Sequence, residues 1–250
     1  MFYKNFLYKL LTVFSPNFNR ELVNLVCHQS NITIFDIGFY TGNYSKELIK
    51  GIKKQNKNTD INIYSFEPNI FVNNMDFKNF SEKNKINWKH FTKAIGNENS
   101  KKEFTILENF PPSGSSLNNI LIDSFWLRTR KFLFSPLKIN KVSLKVIEVN
   151  VKKLDTLFPS LNKLDILKVD VEGYALEVLK GSKQIIENLK PIIQVEILSK
   201  KKDFFNQEVS LKDLMSEFGY IEANRKKHYT THLLSDIICV DYLFKSNTKI

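Results

Sequence analysis

The segment Ile34-Phe35-Asp36-Ile37-Gly38-Phe39-Tyr40-Thr41-Gly42-Asn43-Tyr44-Ser45 constrains this chain more than any other stretch. Ile32 to Ile37 is a short, apolar, β-branched run that reads as a buried strand. Gly38 and Gly42 follow where that strand should end. Tyr44, Leu48, Ile49 and Ile52 then recur at helical spacing, which predicts a helix opening at about Asn43. A strand that turns through glycines into a helix makes a ligand cradle. Glycine allows positive φ and close backbone approach, and the helix start offers unpaired N–H groups.

The pattern is D-x-G-x-x-x-G, not the G-x-G-x-x-G of dinucleotide sites, and Tyr40 stands where a middle glycine would lie. That disfavours a pyrophosphate lying flat on the turn, and with it a nicotinamide dehydrogenase. An acid just before the turn is typical of S-adenosylmethionine sites, where a cationic methionine end must be held. Asp36 is expected either to hold that end or to shape the turn. Many strand-to-helix turns carry two glycines, so the reading needs support further along the chain.

Support comes from a second strand, Ile61 to Phe66, ending in Glu67-Pro68. Glu67 lies 25 residues past Gly42, roughly the separation of about 20 residues at which the acid after the second strand of a βαβ unit meets a ribose. Its carboxylate can accept from both ribose hydroxyls. Pro68 cannot continue a ladder and turns the chain out at that edge. A helix is expected over Ile70–Phe80 and a third strand over Ile86–Ile95, whose small Ala94 and apolar Ile95 suit an adenine. His90 reads as a strand residue only.

Residues 97–160 interrupt the strand–helix alternation. Lys102–Leu107 and Ser143–Val151 read as strands, and 109–119 as a loop. Residues 120–134 are aromatic around Arg128 and Arg130, suited equally to stacking on a sugar or nucleotide and to a core of their own. An insertion of this length at the ligand edge is expected to shape an acceptor pocket.

A second signature runs from Leu164 to Tyr174. Leu164–Val169 reads as a strand, Asp170 and Glu172 lie at its exit, and Gly173 turns the chain. Ala175 to Leu189 shows one apolar helical face, bent at Gly181. Strand ends at a topological switch point are where ligands bind in such sheets, so Asp170 and Glu172 are expected beside the first turn. Beyond lie a strand at Ile192–Ile197, a helix at Leu211–Phe218 and a last strand at Ser235–Phe244. His228 and His232 are four apart in a basic loop with no third ligand nearby, so no metal site is expected.

The formal charge of +11 invites a nucleic-acid partner. Against that, four of the 37 basic residues are arginine, the favoured residue for bidentate phosphate and base contacts. The lysines are spread along the chain, which reads as a solvated basic surface and no specific nucleic-acid partner. The two cysteines, Cys27 and Cys239, are too few for a disulfide framework, and a reducing, cytoplasmic setting is the simplest. No apolar run approaches the roughly 20 residues needed to cross a bilayer. Residues 1–14 form one apolar helical face, read as a helix packed on the domain or a partner, with a peripheral in-plane membrane helix as the alternative. The chain divides into a helical extension (1–30), one α/β domain (31–245, with the insertion near 97–160) and a tail (246–250).

Asp36-Ile37-Gly38…Gly42-Asn43-Tyr44-Ser45, Phe66-Glu67-Pro68, Leu154-Asp155-Thr156-Leu157, Leu167-Lys168-Val169-Asp170-Val171-Glu172-Gly173-Tyr174, Glu177-Val178-Leu179-Lys180-Gly181 and Val195-Glu196 together resemble the FkbM family of methyltransferases. The match spans residues 32 to about 198, and the Lys-x-Asp-Val-Glu-Gly segment is its most diagnostic part. The resemblance implies an α/β, Rossmann-like class I methyltransferase fold. Its sheet would have seven mostly parallel strands with an antiparallel last one, plus a β-hairpin and loop region inserted between strands 3 and 4.

It also implies S-adenosylmethionine as methyl donor and an acceptor hydroxyl, often on a sugar, in a small molecule or glycan. The expected cofactor-binding set is Asp36, Gly38, Gly42, Tyr44, Glu67, Ala94 and Ile95. Asp170 and Glu172 are the expected catalytic pair, as base, acceptor-orienting group or cation ligand, with one of them, Asp170 before Glu172, alternatively holding the cofactor's ammonium. Where the family usually has Ala-Asn, this chain has Phe39-Tyr40, and that bulk is expected to reshape the turn. The competing readings are a methyltransferase fold that has lost turnover and serves as a binding module, and a nucleic-acid N-methyltransferase. The latter would call for an Asn/Asp-Pro-Pro-aromatic motif where Asp170-Val171-Glu172-Gly173 stands.

Overall fold

A computed structural model describes residues 18–108, 116–117, 143–228 and 236–247. The apolar face at 1–14, the aromatic and arginine-bearing stretch at 120–134, and His232 lie outside the described residues.

Helix α1 (Asn19–Val26) precedes strand β1 (Asn31–Ile37). Helix α2 (Asn43–Gln55) leads to β2 (Asp60–Phe66), then α3 (Met75–Lys83), β3 (Asn87–Phe91), β4 (Ala94–Ile95), β5 (Ser100–Glu108) and β6 (Ser143–Lys152). After the short α4 (Leu154–Leu157) come β7 (Ile166–Val169), α5 (Ala175–Lys180), α6 (Lys183–Leu189) and β8 (Ile192–Lys200). The described chain closes with α7 (Lys201–Glu217), β9 (Tyr220–Lys227) and β10 (Ile237–Ser246).

Seven strands form one sheet in the order β3-β2-β1-β7-β8-β10-β9. The first five run parallel, and β10 is antiparallel to both β8 and β9. This is the sheet expected from the sequence. The central strands are apolar on both faces because helices cover both. Ile32, Ile34, Ile61 and Ile63 pack with Leu22, Leu48 and Phe77 of α1, α2 and α3. Phe35, Ile37, Leu167, Val169, Ile193 and Val195 pack with Val178, Ile185 and Leu211 of α5, α6 and α7. The chain leaves β1 toward β2 on one side and enters β7 on the other. The crevice therefore opens above the C-terminal ends of β1 and β7.

Several expected elements differ. The single third strand is two: β3 stays in the main sheet, while β4 pairs with Val151 and Lys152 of β6 in a separate sheet, β4-β6-β5. The ladder with β2 ends because β2 runs out at Phe66 and Pro68 supplies no N–H; the amide of Glu67 makes the last bond, to the Phe91 carbonyl (3.1 Å). The helix expected at 70–80 begins at Met75. Asn69 and Asn73 accept from the amides of Phe71 (3.1 Å) and Met75 (2.9 Å), holding 69–74 in turns, and Ile70 and Phe71 are exposed.

Helix α7 starts ten residues before the expected Leu211. In its first half Phe204 is partly buried against the core while Phe205 and Val209 are exposed, so the periodic signal there is weak. Strand β9 was not expected at all: it is an edge strand, polar and exposed over most of its length, with Lys226, Lys227 and Arg225 blunting the edge. The expected bend at Gly181 is a break between α5 and α6. A Cβ there would lie 1.8 Å from the Gly96 carbonyl oxygen, so backbone touches backbone at that point.

Candidate active site

The first turn is built from alternating backbone conformations. Gly38 (φ +84°), Tyr40 (φ +47°) and Gly42 (φ +75°) all lie in the left-handed region. The amides of Gly38 and Phe39 both donate to the Phe66 carbonyl (3.0 and 3.1 Å). The Tyr40 amide donates to Glu67 Oε2 (2.9 Å), and the Asn69 amide donates to Glu67 Oε1 (2.9 Å). Glu67 is thus fixed at the crevice wall by two backbone donors. Burial raises its proton affinity, against the pull of those two amides.

Phe39, the bulky departure, turns its ring away from the crevice. The ring is buried against Phe77 (centroids 4.8 Å apart) and Trp88 (5.9 Å). Gly42 makes room for it, since a Cβ on Gly42 would sit 2.3 Å from the Phe39 ring. The volume of the Phe39 ring goes into the core beneath the turn, while Tyr40 stands in the cavity wall.

Asp36 is fully buried. It accepts from Ser45 Oγ (2.5 Å) on one oxygen and Lys168 Nζ (2.9 Å) on the other. Lys168 also donates to the Gly38 carbonyl (3.1 Å), reaches Asp170 Oδ2 (3.4 Å) and lies over the Tyr44 ring (5.0 Å). Burial pulls its ammonium toward neutrality, but Asp36 and Asp170 outweigh that and raise its pKa. The Tyr44 hydroxyl donates to Gln194 Oε1.

The second turn meets the first directly. The Asp170 amide donates to the Ile37 carbonyl (2.9 Å), and a Cβ on Gly38 would lie 1.7 Å from the Asp170 carbonyl oxygen. Glu172 (φ +52°) and Gly173 (φ +96°) carry the chain around the corner. A non-glycine residue at such a φ is costly, and strain of this kind gathers at functional sites. The second sheet closes the wall: Ser116 Oγ donates to the Glu172 carbonyl (2.8 Å), and Lys102 Nζ donates to the Tyr174 hydroxyl (2.9 Å). Glu172 is held well above the usual carboxylate range by burial, then by the nearby charges of Glu196 and Asp170.

These turns enclose a cavity of about 230 Å³. Gly38, Tyr44, Glu67, Ala94, Ile95, Asp170 and Glu172 line it. Of the expected site residues, Asp36 and Gly42 do not. Asp36 has both oxygens engaged below the turn, so of its two expected roles the geometry is that of shaping the turn. Gly42 begins α2.

Sequence reading missed Thr41, Lys168 and Tyr174, which also line the cavity. Lys168 carried a signal, being the lone charge in the apolar run Ile166–Val169. Thr41 carried none, yet its buried Oγ1 has no hydrogen-bond partner among the described residues. A buried hydroxyl without a partner costs free energy that a polar ligand would offset.

The family described as "Methyltransferase FkbM domain" matches residues 36–222, three-quarters of the chain. The chain belongs to the FkbM methyltransferase family. That family's methyl donor, S-adenosylmethionine, is its cofactor. The unpartnered Thr41 hydroxyl, the glycine-walled turn and the Glu67 carboxylate all fit a polar nucleoside ligand with a charged end.

Solved structures similar to this FkbM domain include FkbM methyltransferase from Methylobacillus flagellatus KT (14% identity, 85% of this chain, 44% of that one, TM-score 0.47). Others are M. jannaschii TYW2 in complex with AdoMet (12%, 91%, 74%, 0.40) and StiE O-MT residues 942–1257 (9%, 98%, 74%, 0.44). The chain spans 44% of the length of the first of these. No curated protein matches it. Among the described residues, no helix is long and apolar enough to cross a membrane.

Proposed function

We propose that this FkbM domain transfers the methyl group of S-adenosylmethionine to a hydroxyl oxygen of a saccharide or similar polyol, in a cytoplasmic setting. The observation that carries the reading is a carboxylate of raised proton affinity, Glu172, in the wall of the cavity that the Gly38 turn also lines.

Bound S-adenosylmethionine supplies a methyl already activated by its sulfonium. The protein has two tasks: to align an acceptor oxygen with the C–S bond, and to receive the proton that oxygen loses. Glu172 is assigned the proton, because burial and then the charges of Glu196 and Asp170 raise its proton affinity. Asp170, partly exposed and 3.4 Å from Lys168, is assigned to the methionine ammonium. Glu67 is assigned to the ribose hydroxyls, Ala94 and Ile95 to the adenine, and Tyr44 to the cavity floor. Asp36 acts through Lys168, which ties both turns together.

Strands β5 and β6 of the second sheet are assigned to the acceptor side, and β4, with Ala94 and Ile95, to the adenine. A small-molecule or glycan hydroxyl suits a cavity whose described lining carries the acids Glu67, Asp170 and Glu172. The basic surface is solvated and does not imply a nucleic acid.

The test has two stages. Titration calorimetry should show S-adenosylmethionine binding to the full chain, and Glu67→Ala should weaken it strongly; no heat with folded wild type would remove the enzyme reading. Incubation with methyl-labelled cofactor and surface-glycan extracts should then label saccharide. Label confined to RNA or protein would overturn the acceptor assignment.

A further inference from the structure

We propose that Glu196, His228 and Cys239 form a site for one divalent transition-metal ion, zinc by the chemistry of the donors, with Asp241 beside it.

The three residues are far apart in sequence, and the sheet brings them together. Glu196 on β8 is paired in register with Asp241 on β10. Cys239 lies two residues before Asp241 on the same strand, so both side chains share a face. His228 follows β9 directly, and its amide donates to the Cys239 carbonyl (3.0 Å), which fixes where the imidazole starts. Cys239 Sγ lies 3.0 Å from Glu196 Oε2, and His228 Nε2 lies 3.9 Å from that same oxygen. All three donor atoms fall within 4.8 Å of one another. Asp241 Oδ2 is 2.8 Å from His228 Nε2. Tetrahedral zinc with sulfur, nitrogen and oxygen ligands separates its donors by about 3.3–3.6 Å, so small side-chain shifts suffice.

The donor set is the second reason. Thiolate, imidazole and carboxylate together are the ligands of zinc, whereas oxygen-only sets suit magnesium or calcium. A free cysteine on a buried strand ordinarily behaves as a small hydrophobe. This one is 4% exposed and directs its sulfur at a carboxylate. The third reason is charge. Glu196 and Asp241 expose 13% and 8% of their side chains, and among the described residues their ion-pair partner is the one imidazole of His228. Two buried carboxylates against one imidazole are costly, and a divalent cation offsets that excess. A metal-free network, with His228 hydrogen-bonded to Asp241 and Cys239 to Glu196, is the competing reading.

The test uses the chelator-treated full chain and Co²⁺ as a spectroscopic probe. The expected result is a near-ultraviolet thiolate-to-cobalt charge-transfer band that saturates at a stoichiometric equivalent and is lost on adding Zn²⁺. The chain has two cysteines, so survival of the band in Cys27→Ser assigns it to Cys239, whether or not Cys239→Ser folds. His228→Ala should weaken cobalt and zinc binding together. No charge-transfer band in wild type with native circular dichroism, or a band abolished by Cys27→Ser, overturns the proposal and leaves the metal-free network.

Discussion

Gly38 and the carbonyl of Asp170 are in backbone contact: a Cβ on Gly38 would lie 1.7 Å from that oxygen. The two signature turns are therefore one structure, and the proposed donor site depends on their close approach. Gly38→Ala must both move Asp170 and hold alanine at a positive φ, which alone costs about 1–3 kcal/mol. The expected outcome is a lower urea midpoint and loss of S-adenosylmethionine binding in calorimetry. Wild-type affinity in this variant would mean that the turns need not touch.

Lys168 and Asp36 form a buried ion pair, 5% and 1% exposed. Removing one partner of such a pair costs about 3–5 kcal/mol, while replacing both is far less harmful. Lys168→Met should destabilise by about that amount, and Asp36→Asn combined with Lys168→Met should recover part of the loss. Denaturant melts of the two singles and the double give the coupling. Additive losses would show that the pair does not act as a unit.

Thr41 offers a hydroxyl with no partner among the described residues. Thr41→Val keeps the volume and removes the oxygen, so the free protein should be as stable as wild type or slightly more so. If the hydroxyl meets the cofactor, affinity should fall by the worth of one hydrogen bond, about 0.5–1.5 kcal/mol or roughly 2- to 12-fold. Unchanged affinity by calorimetry would take Thr41 out of the donor site.

Glu172 gives the pH dependence. A base works deprotonated, and burial with neighbouring charges raises this group well above the ordinary carboxylate range. In chelator-treated protein, kcat should therefore climb with pH along a limb displaced upward from where a free glutamate titrates. Glu172→Gln should lose that limb and about 10²–10⁴-fold in rate. A limb that persists in the variant would assign the proton transfer to another group.

The parts of the fold that could be read from sequence are those whose burial is set locally. Strands β1 and β7 are buried on both faces, β2 alternates around Ile61 and Ile63, and all three stop at glycine, acid or proline, so their ends announce the crevice. Strand β9 faces water along an edge and leaves no alternation to read. The first half of α7 sets Phe204 against the core but leaves Phe205 and Val209 in water, so its apolar spacing is blurred. Within the site, the acids were legible by type and position, but not their partners. Nothing local to Asp36 reveals that Lys168, 132 residues away, engages its carboxylate. Glu196, His228 and Cys239 likewise meet only through strand register. The fate of the Phe39 ring was also hidden, because the room it occupies is supplied by Gly42 and Phe77.

The β4-β6-β5 sheet shares no strand pairing with the seven-stranded sheet. It meets the site through side chains such as Ser116 and Lys102. The consequence is a division of evolutionary labour. The methyl-donor half is locked backbone to backbone at β1 and β7, where nearly any change is felt. The opposing wall pairs no strand with it among the described residues and meets it at β4, through Ala94, Ile95 and the Gly96 carbonyl against Gly181. Changes confined to β5 and β6 are those expected to leave the turn undisturbed. Acceptor choice in this lineage is then expected to drift in residues 97–160 while the two turns stay fixed. Grafting that segment between family members is the rational route to a new acceptor.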